Sequence, residues 1–192
     1  MSSAERAKWE ELYASGVRAD KPPSRWILDT VARLPNDHPV ADIAGGTGRH
    51  AIPIALAGRP VVLIDIAIQA VATARKAEPS LDGVVADASS LPFRPRQFGV
   101  VVVANFLERS IFAELNELLM PGGHLVYETY TVHHLDLVRR GLARGPSSTE
   151  YLLQPGELPR LVRGLEVQEH WEGEVEDEAG LRRCARLLAR RQ

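Results

Sequence analysis

Apolar positions along the chain fall into two alternating patterns, stretches with helical spacing and short continuous runs, which together predict an α/β layer fold with a mainly parallel sheet. Residues 4–14 carry Ala7, Leu12 and Tyr13 among charges and predict a short amphipathic helix. A break at Asp20-Lys21-Pro22-Pro23 follows, and Ser24 is placed to cap a second helix through Leu34. Strands are expected over 40–44, 61–64, 81–86, 98–104 and 124–130, and helices between them over 48–57, 68–77 and 111–120. The run 98–104 is the purest apolar stretch, so it belongs at the centre of the sheet. Pro121-Gly122-Gly123 stops the helix that precedes the fifth strand.

Past Tyr130 the pattern weakens. Residues 135–143 and 155–162 read as short helices around a loop at 145–148, and 165–171 and 184–189 read as two last strands joined by an exposed acidic turn at 172–178. The final segment also reads as a basic helix, because Leu181, Ala185 and Leu188 fall at helical intervals.

Composition narrows the function classes. With 192 residues, 45% hydrophobic and 25% charged, the chain has the make-up of one globular domain. The single Cys184 excludes a disulfide framework or a cysteine-built zinc site within one chain. A net charge of -2 leaves no overall basic footprint for nucleic acid. No apolar run approaches the ~20 residues a bilayer helix needs, and the N-terminus lacks a signal-peptide core, so a cytoplasmic protein, monomer or dimer, is expected.

Candidate chemistry concentrates after the first strand. Asp42-Ile43-Ala44-Gly45-Gly46-Thr47-Gly48 lies between a strand and a helix, where glycines allow a sharp turn and a close backbone approach to a ligand. Asp65 closes the second strand, where a carboxylate can accept both hydrogen bonds of a ribose diol, and Asp87 closes the third. A crevice rimmed by these acids, with no lysine in the glycine loop, suits a ligand with ribose hydroxyls, an exocyclic amine and a cationic centre, as in S-adenosylmethionine. Gly46 to Ala51 also satisfies the G-x-G-x-x-G/A dinucleotide fingerprint, so a nicotinamide-dependent oxidoreductase stays as an alternative.

These residues carry a resemblance. The chain resembles the class I S-adenosylmethionine-dependent methyltransferases, and within them the tellurite-resistance methyltransferase-like group. Asp42 to Gly48 stands at the family's D-x-G-x-G-x-G, with Ala44 in place of the first glycine; Asp65-Ile66, Asp87-Ala88 and Asn105-Phe106 stand at the ends of the next strands. Leu119 to Leu125 is similar to L-K-P-G-G-x-L, and Tyr151 to Leu158 to the group's Y-x-L-x-x-G-E-L. The resemblance implies a doubly wound, Rossmann-like, seven-stranded sheet with an antiparallel last strand. It also implies cofactor contacts from Asp42, Ala44, Gly45, Gly46, Gly48, Asp65, Ile66, Asp87, Ala88, Asn105 and Phe106.

Within that frame, residues 1–35 form a helical lid, 36–130 the cofactor-binding core and 131–192 the acceptor side with the last strands. The expected activity is in-line methyl transfer from S-adenosylmethionine to a small-molecule acceptor; the alternative within this family is a non-catalytic S-adenosylmethionine-binding sensor or subunit. Trp9 and Tyr13 are candidates for the lid, and Arg109, Glu128, Tyr130, His133 and His134 for contact with the acceptor. His133 and Asp136 share a helical face but lack a third ligand, so no metal is expected.

Overall fold

The computed structural model describes residues 3–15, 21–178 and 180–192, with the side chains of 3–5 left aside. Asp20 of the sequence break, and residues 1, 2 and 16–20 of the expected lid, lie outside the described residues. The elements run α1 (Ser3–Ala14), α2 (Arg25–Arg33), β1 (Val40–Ile43), α3 (Ala51–Leu56), β2 (Val61–Asp65), α4 (Ile68–Ala77), β3 (Asp82–Val85), β4 (Phe98–Ala104), α5 (Phe112–Leu118), β5 (Leu119–Tyr130), α6 (His134–Arg139), α7 (Leu158–Leu161), β6 (Leu165–Asp177) and β7 (Gly180–Arg191). They build one seven-stranded sheet in the order β3-β2-β1-β4-β5-β7-β6. Pairing is parallel from β3 through β5, while β7 runs antiparallel to both its neighbours.

The continuous apolar runs have a simple cause. Successive side chains of a strand point to opposite faces, and here both faces are covered. In β4, Val101 and Val103 enter a core with Ile43, Leu115 and Tyr127 on one face, whereas Val100 and Val102 enter a core with Ile27, Leu63 and Val126 on the other. The order of the sheet reverses at β1, whose neighbours are β2 and β4, so the carboxyl ends of these strands open a crevice at the switch point.

Several sequence expectations are corrected. The helix predicted over 48–57 begins only at Ala51, because Gly48 at φ +85° still belongs to the turn and packs closely on Ala74 and Ile52. The fifth strand starts at Leu119 rather than 124: Pro121-Gly122-Gly123 runs through an irregularity in the β4–β5 register, with Gly123 pressed against the carbonyls of Phe98 and Gly99. The predicted acidic turn at 172–178 is strand as far as Asp177. As the edge strand, β6 exposes one side to water and sets Glu166 opposite Arg190 and Glu174 opposite Arg183 on β7. The basic helix considered for the last segment is also excluded, since β7 pairs on both sides and buries Ala185, Leu187 and Ala189 in the core. Ser24 precedes α2 but does not cap it with its side chain.

Candidate cofactor cavity

At the switch point the sheet opens into a cavity of about 410 Å³. Its floor comes from strand ends and the turns that follow them: Asp42, Ala44, Gly45, Gly46, Asp65, Ile66, Ala88, Asn105 and Phe106 all line it. Of the predicted cofactor contacts, Gly48 and Asp87 are outside the lining. Gly48 serves helix packing instead, and Asp87 accepts hydrogen bonds from the backbone N–H and hydroxyl of Ser89 at 2.9 and 2.7 Å.

The loop geometry explains its sequence. A Cβ on Gly45 would lie 2.8 Å from the Asp42 carboxyl group, and one on Gly46 2.6 Å from the Tyr13 hydroxyl. Ala44, the departure from the glycine motif, takes the left-handed conformation at φ 54°. A non-glycine residue there costs about 1–2 kcal/mol, so the turn keeps its shape at the expense of local strain.

Two acids control the floor. Asp65 accepts from the Gly46 N–H at 2.8 Å through Oδ2 and from the Ala67 N–H at 2.9 Å through Oδ1. The Ile66 N–H also serves this carboxylate, which three backbone donors thus orient at the cavity floor. Burial raises the Asp65 pKa, against the lowering effect of those backbone bonds. Asp42 is fully buried; Oδ2 accepts from the Ala51 N–H at 3.2 Å, while Oδ1 has no partner among the described residues. Burial pushes its pKa up to about 7, with Arg49 opposing the rise. Asn105, at φ 53°, likewise leaves its buried Oδ1 without a partner. Unpaired buried polar atoms cost roughly 1–3 kcal/mol each, and these two belong to residues that line the cavity. An amine-bearing, diol-bearing, cationic molecule such as S-adenosylmethionine matches the chemistry of this set.

The roof comes from other segments. Lys8, Trp9 and Tyr13 of α1, Lys21, residues 145–148 and Tyr151 close over the strand ends. Helix α1 is held down by Glu10, whose carboxylate accepts from the N–H groups of Ile68 at 2.7 Å and Gln69 at 3.3 Å at the start of α4. Among the described lid candidates, Trp9 and Tyr13 stack with centroids 6.0 Å apart.

Of the predicted acceptor contacts only Tyr130 lines the cavity. Arg109 is bound to Glu157 at 2.6 Å and to the carbonyls of Glu150 and Leu152. His133 is exposed, and its carbonyl accepts from Arg183. His134 is buried against Tyr130, with Nδ1 accepting from the Arg183 N–H at 3.3 Å. Glu128, also buried, accepts from Ser24 Oγ at 3.0 Å and Arg186 Nε at 2.7 Å, and pairs with Arg182. Asp136 faces Arg183 and Arg140 rather than a ligand set, and among the described residues no three metal-binding side chains converge.

Sequence reasoning missed Arg49, Lys8, Lys21 and His50 as lining residues. Arg49 directly follows the last motif glycine, a signal that was available; burial lowers its pKa while Tyr130, Asp42, Glu128 and Tyr13 oppose that shift. The imidazole of His50 accepts from the Ser24 N–H at 2.9 Å and is held neutral by burial. No local pattern marked the two lysines, which reach the cavity only through the chain's path.

Known proteins resemble this arrangement. The family model for a methyltransferase domain matches residues 40–123. A demethylmenaquinone methyltransferase of Renibacterium salmoninarum is 27% identical over 150 residues, covering 68% of this chain, and the chain spans 63% of that relative's length. Among solved structures, an S-adenosylmethionine-dependent methyltransferase of Methanosarcina mazei matches with a TM-score of 0.72 at 24% identity, over 88% of this chain and 98% of that one. TehB of Haemophilus influenzae shares the fold with a TM-score of 0.70 at 18% identity, over 96% of this chain and 67% of that one. Residues 40–123 thus match the methyltransferase-domain model, and the chain shares the seven-stranded fold of these methyltransferase structures.

Proposed function

We propose that the chain binds S-adenosylmethionine in this cavity and transfers its methyl group to a small-molecule acceptor. The observation that carries the reading is the acidic floor, where Asp42 and Asp65 at two strand ends line one cavity with the glycine loop, whose Gly46 N–H donates to Asp65. Bound there, the cofactor supplies an electrophilic methyl on a sulfonium centre. Asp65 holds the ribose hydroxyls, and Ile66, Ala88 and Phe106 supply apolar surface for the base. Asp42 faces the cationic amino-acid end, with Arg49 beside it as counter-charge for a carboxylate. The Phe106 segment is fixed from behind by the Tyr127 hydroxyl, which donates to the Phe106 carbonyl at 2.8 Å. Residues 1–35 act as the lid, 36–130 as the cofactor core and 131–192 as the acceptor side. The lid residues exclude water, and in-line alignment of acceptor and methyl group supplies most of the rate, so no dedicated base is required of an acceptor that arrives ionised. The named activity of the Renibacterium salmoninarum relative supports a small molecule as acceptor.

Calorimetric titration with S-adenosylhomocysteine tests the reading. Binding should appear in the micromolar range, and Asp65→Ala should weaken it by about 1.5–3 kcal/mol, the value of a hydrogen bond to a charged group. Absence of binding to the wild-type protein would overturn the proposal.

A further inference from the structure

The cavity wall includes an imidazole that the methyl-transfer reading leaves unused. His50 lines the cavity and is otherwise buried, with 1% of its surface exposed. Its Nε2 accepts from the Ser24 N–H at 2.9 Å. That N–H belongs to the residue before α2, where no carbonyl within the helix can take it. Ser24 is held in turn: its hydroxyl donates to Glu128 Oε2 at 3.0 Å, and Glu128 accepts from Arg186 Nε at 2.7 Å. Segments far apart in the chain, at the start of α2, on β5 and on β7, therefore converge on one ring just ahead of α3.

A backbone N–H donates and cannot accept, so it selects a tautomer. With Nε2 engaged as acceptor, the proton of the neutral ring sits on Nδ1. Burial, aided by Arg49 and Arg182, lowers the imidazole pKa well below its ordinary value, so the ring stays neutral at pH 7. Its basic nitrogen is thereby occupied, and the ring can offer a ligand only the Nδ1–H. No described residue supplies an acceptor for that group. Arg49, adjacent in the chain and in the same lining, adds positive charge. A donor beside a guanidinium on a wall shielded from bulk water favours an anionic oxygen.

We infer that His50 is a ligand-binding residue whose Nδ1–H donates to an anionic oxygen in the cavity, with Ser24 and Glu128 as the residues that position it. The inference rests on the methyltransferase reading, which offers two such oxygens: the carboxylate of S-adenosylmethionine and an ionised group of the acceptor. Tautomer selection then gives the Ser24–Glu128 pair a task besides stability.

The test is NMR of the full chain labelled with nitrogen-15 histidine, which separates bare from protonated imidazole nitrogens, with His50→Gln to assign the signal. The ligand-free wild type should carry the His50 proton on Nδ1 between about pH 6 and pH 8. Ser24 has φ -68°, which proline adopts, so Ser24→Pro removes the N–H without moving the backbone and should transfer the proton to Nε2. Ser24→Ala keeps the N–H and should leave the proton on Nδ1. Two ligands separate the sources of the oxygen: S-adenosylhomocysteine, and 5′-methylthioadenosine, which lacks the amino-acid end. A shift of the Nδ1–H signal with the first alone supports the inference with the cofactor carboxylate as partner. A shift only when benzoate is added to the chain saturated with S-adenosylhomocysteine supports it with an anionic acceptor as partner. In calorimetry the responsible ligand should bind at least about tenfold more weakly to Ser24→Pro, and to Ser24→Ala within about twofold of wild type. A wild-type proton on Nε2, a shift already produced by 5′-methylthioadenosine, or no shift with any probe in a chain that binds S-adenosylhomocysteine overturns the inference, whether or not the variants fold. Failure to bind S-adenosylhomocysteine would instead strike the methyltransferase reading; the tautomer is read without ligand, so the two failures are distinguishable.

Discussion

Asp42 combines full burial, one backbone hydrogen bond and one oxygen without a partner among the described residues, and each property follows from its place at the end of a buried central strand. Its pKa of about 7 lies above the ordinary carboxyl value of 3.8. The folded protein therefore binds an extra proton between these limits, and the stability this carboxyl contributes at low pH is lost as pH rises through about 7. Asp42→Asn cannot ionise, so its stability relative to wild type should grow between pH 4 and 7 and reach a gain on the order of 2 kcal/mol at pH 8, while cofactor-product binding falls. Thermal unfolding at pH 5 and pH 8 checks the sign; an equal difference at both would remove the titration. The residue itself was legible in the sequence, because an acid before a glycine-rich turn stands out. Its protonation was not, because the pKa depends on how completely neighbouring strands exclude water.

Glu128 illustrates what changes at the scale of elements. Its position at the end of the fifth strand made it a candidate for contact with the acceptor, yet the antiparallel pairing of β5 with β7 sets it against Arg186, and Arg182 and Ser24 complete the cluster. Arg186 is in turn placed 5.4 Å from the ring centres of both Trp26 and Trp171. The cluster ties α2, β5, β6 and β7 together. Glu128→Gln should cost about 2–4 kcal/mol of stability, because half-buried Arg186 loses its carboxylate partner and buried Arg182 keeps only Asp177, a loss visible in chemical denaturation. A drop in turnover at unchanged stability would instead point to a role in the chemistry. The same spatial logic explains why Ser24 leaves the cap of α2: its hydroxyl and N–H have partners in Glu128 and His50, which only tertiary folding brings near. Partners more than twenty residues away leave no periodic trace in sequence.

For the molecule as a whole, the cavity joins the strand-end floor to a roof from α1, Lys21 and the 145–151 segment, so a ligand seated in it should couple them. Saturation with S-adenosylhomocysteine at about one hundred times its dissociation constant should raise global stability by about 2.7 kcal/mol, with slower amide exchange in α1 as well as in the glycine loop. Protection confined to the loop would show that α1 does not close on the ligand. Among the described residues no helix is long and apolar enough to cross a membrane. What the sequence determined was the parallel core: buried runs, glycine turn and acids at strand ends are local patterns, fixed by backbone sterics and by the burial of both sheet faces. The tertiary structure decided the extent of β6 and β7, whose charges satisfy each other across an edge. It also engaged Arg109 and Glu128 in ion pairs, kept Tyr130 in the cavity lining, and brought Lys8, Lys21 and Arg49 to the same cavity. Charged side chains carry no period that reveals their partners, and only the packing of distant segments sets which of them meet.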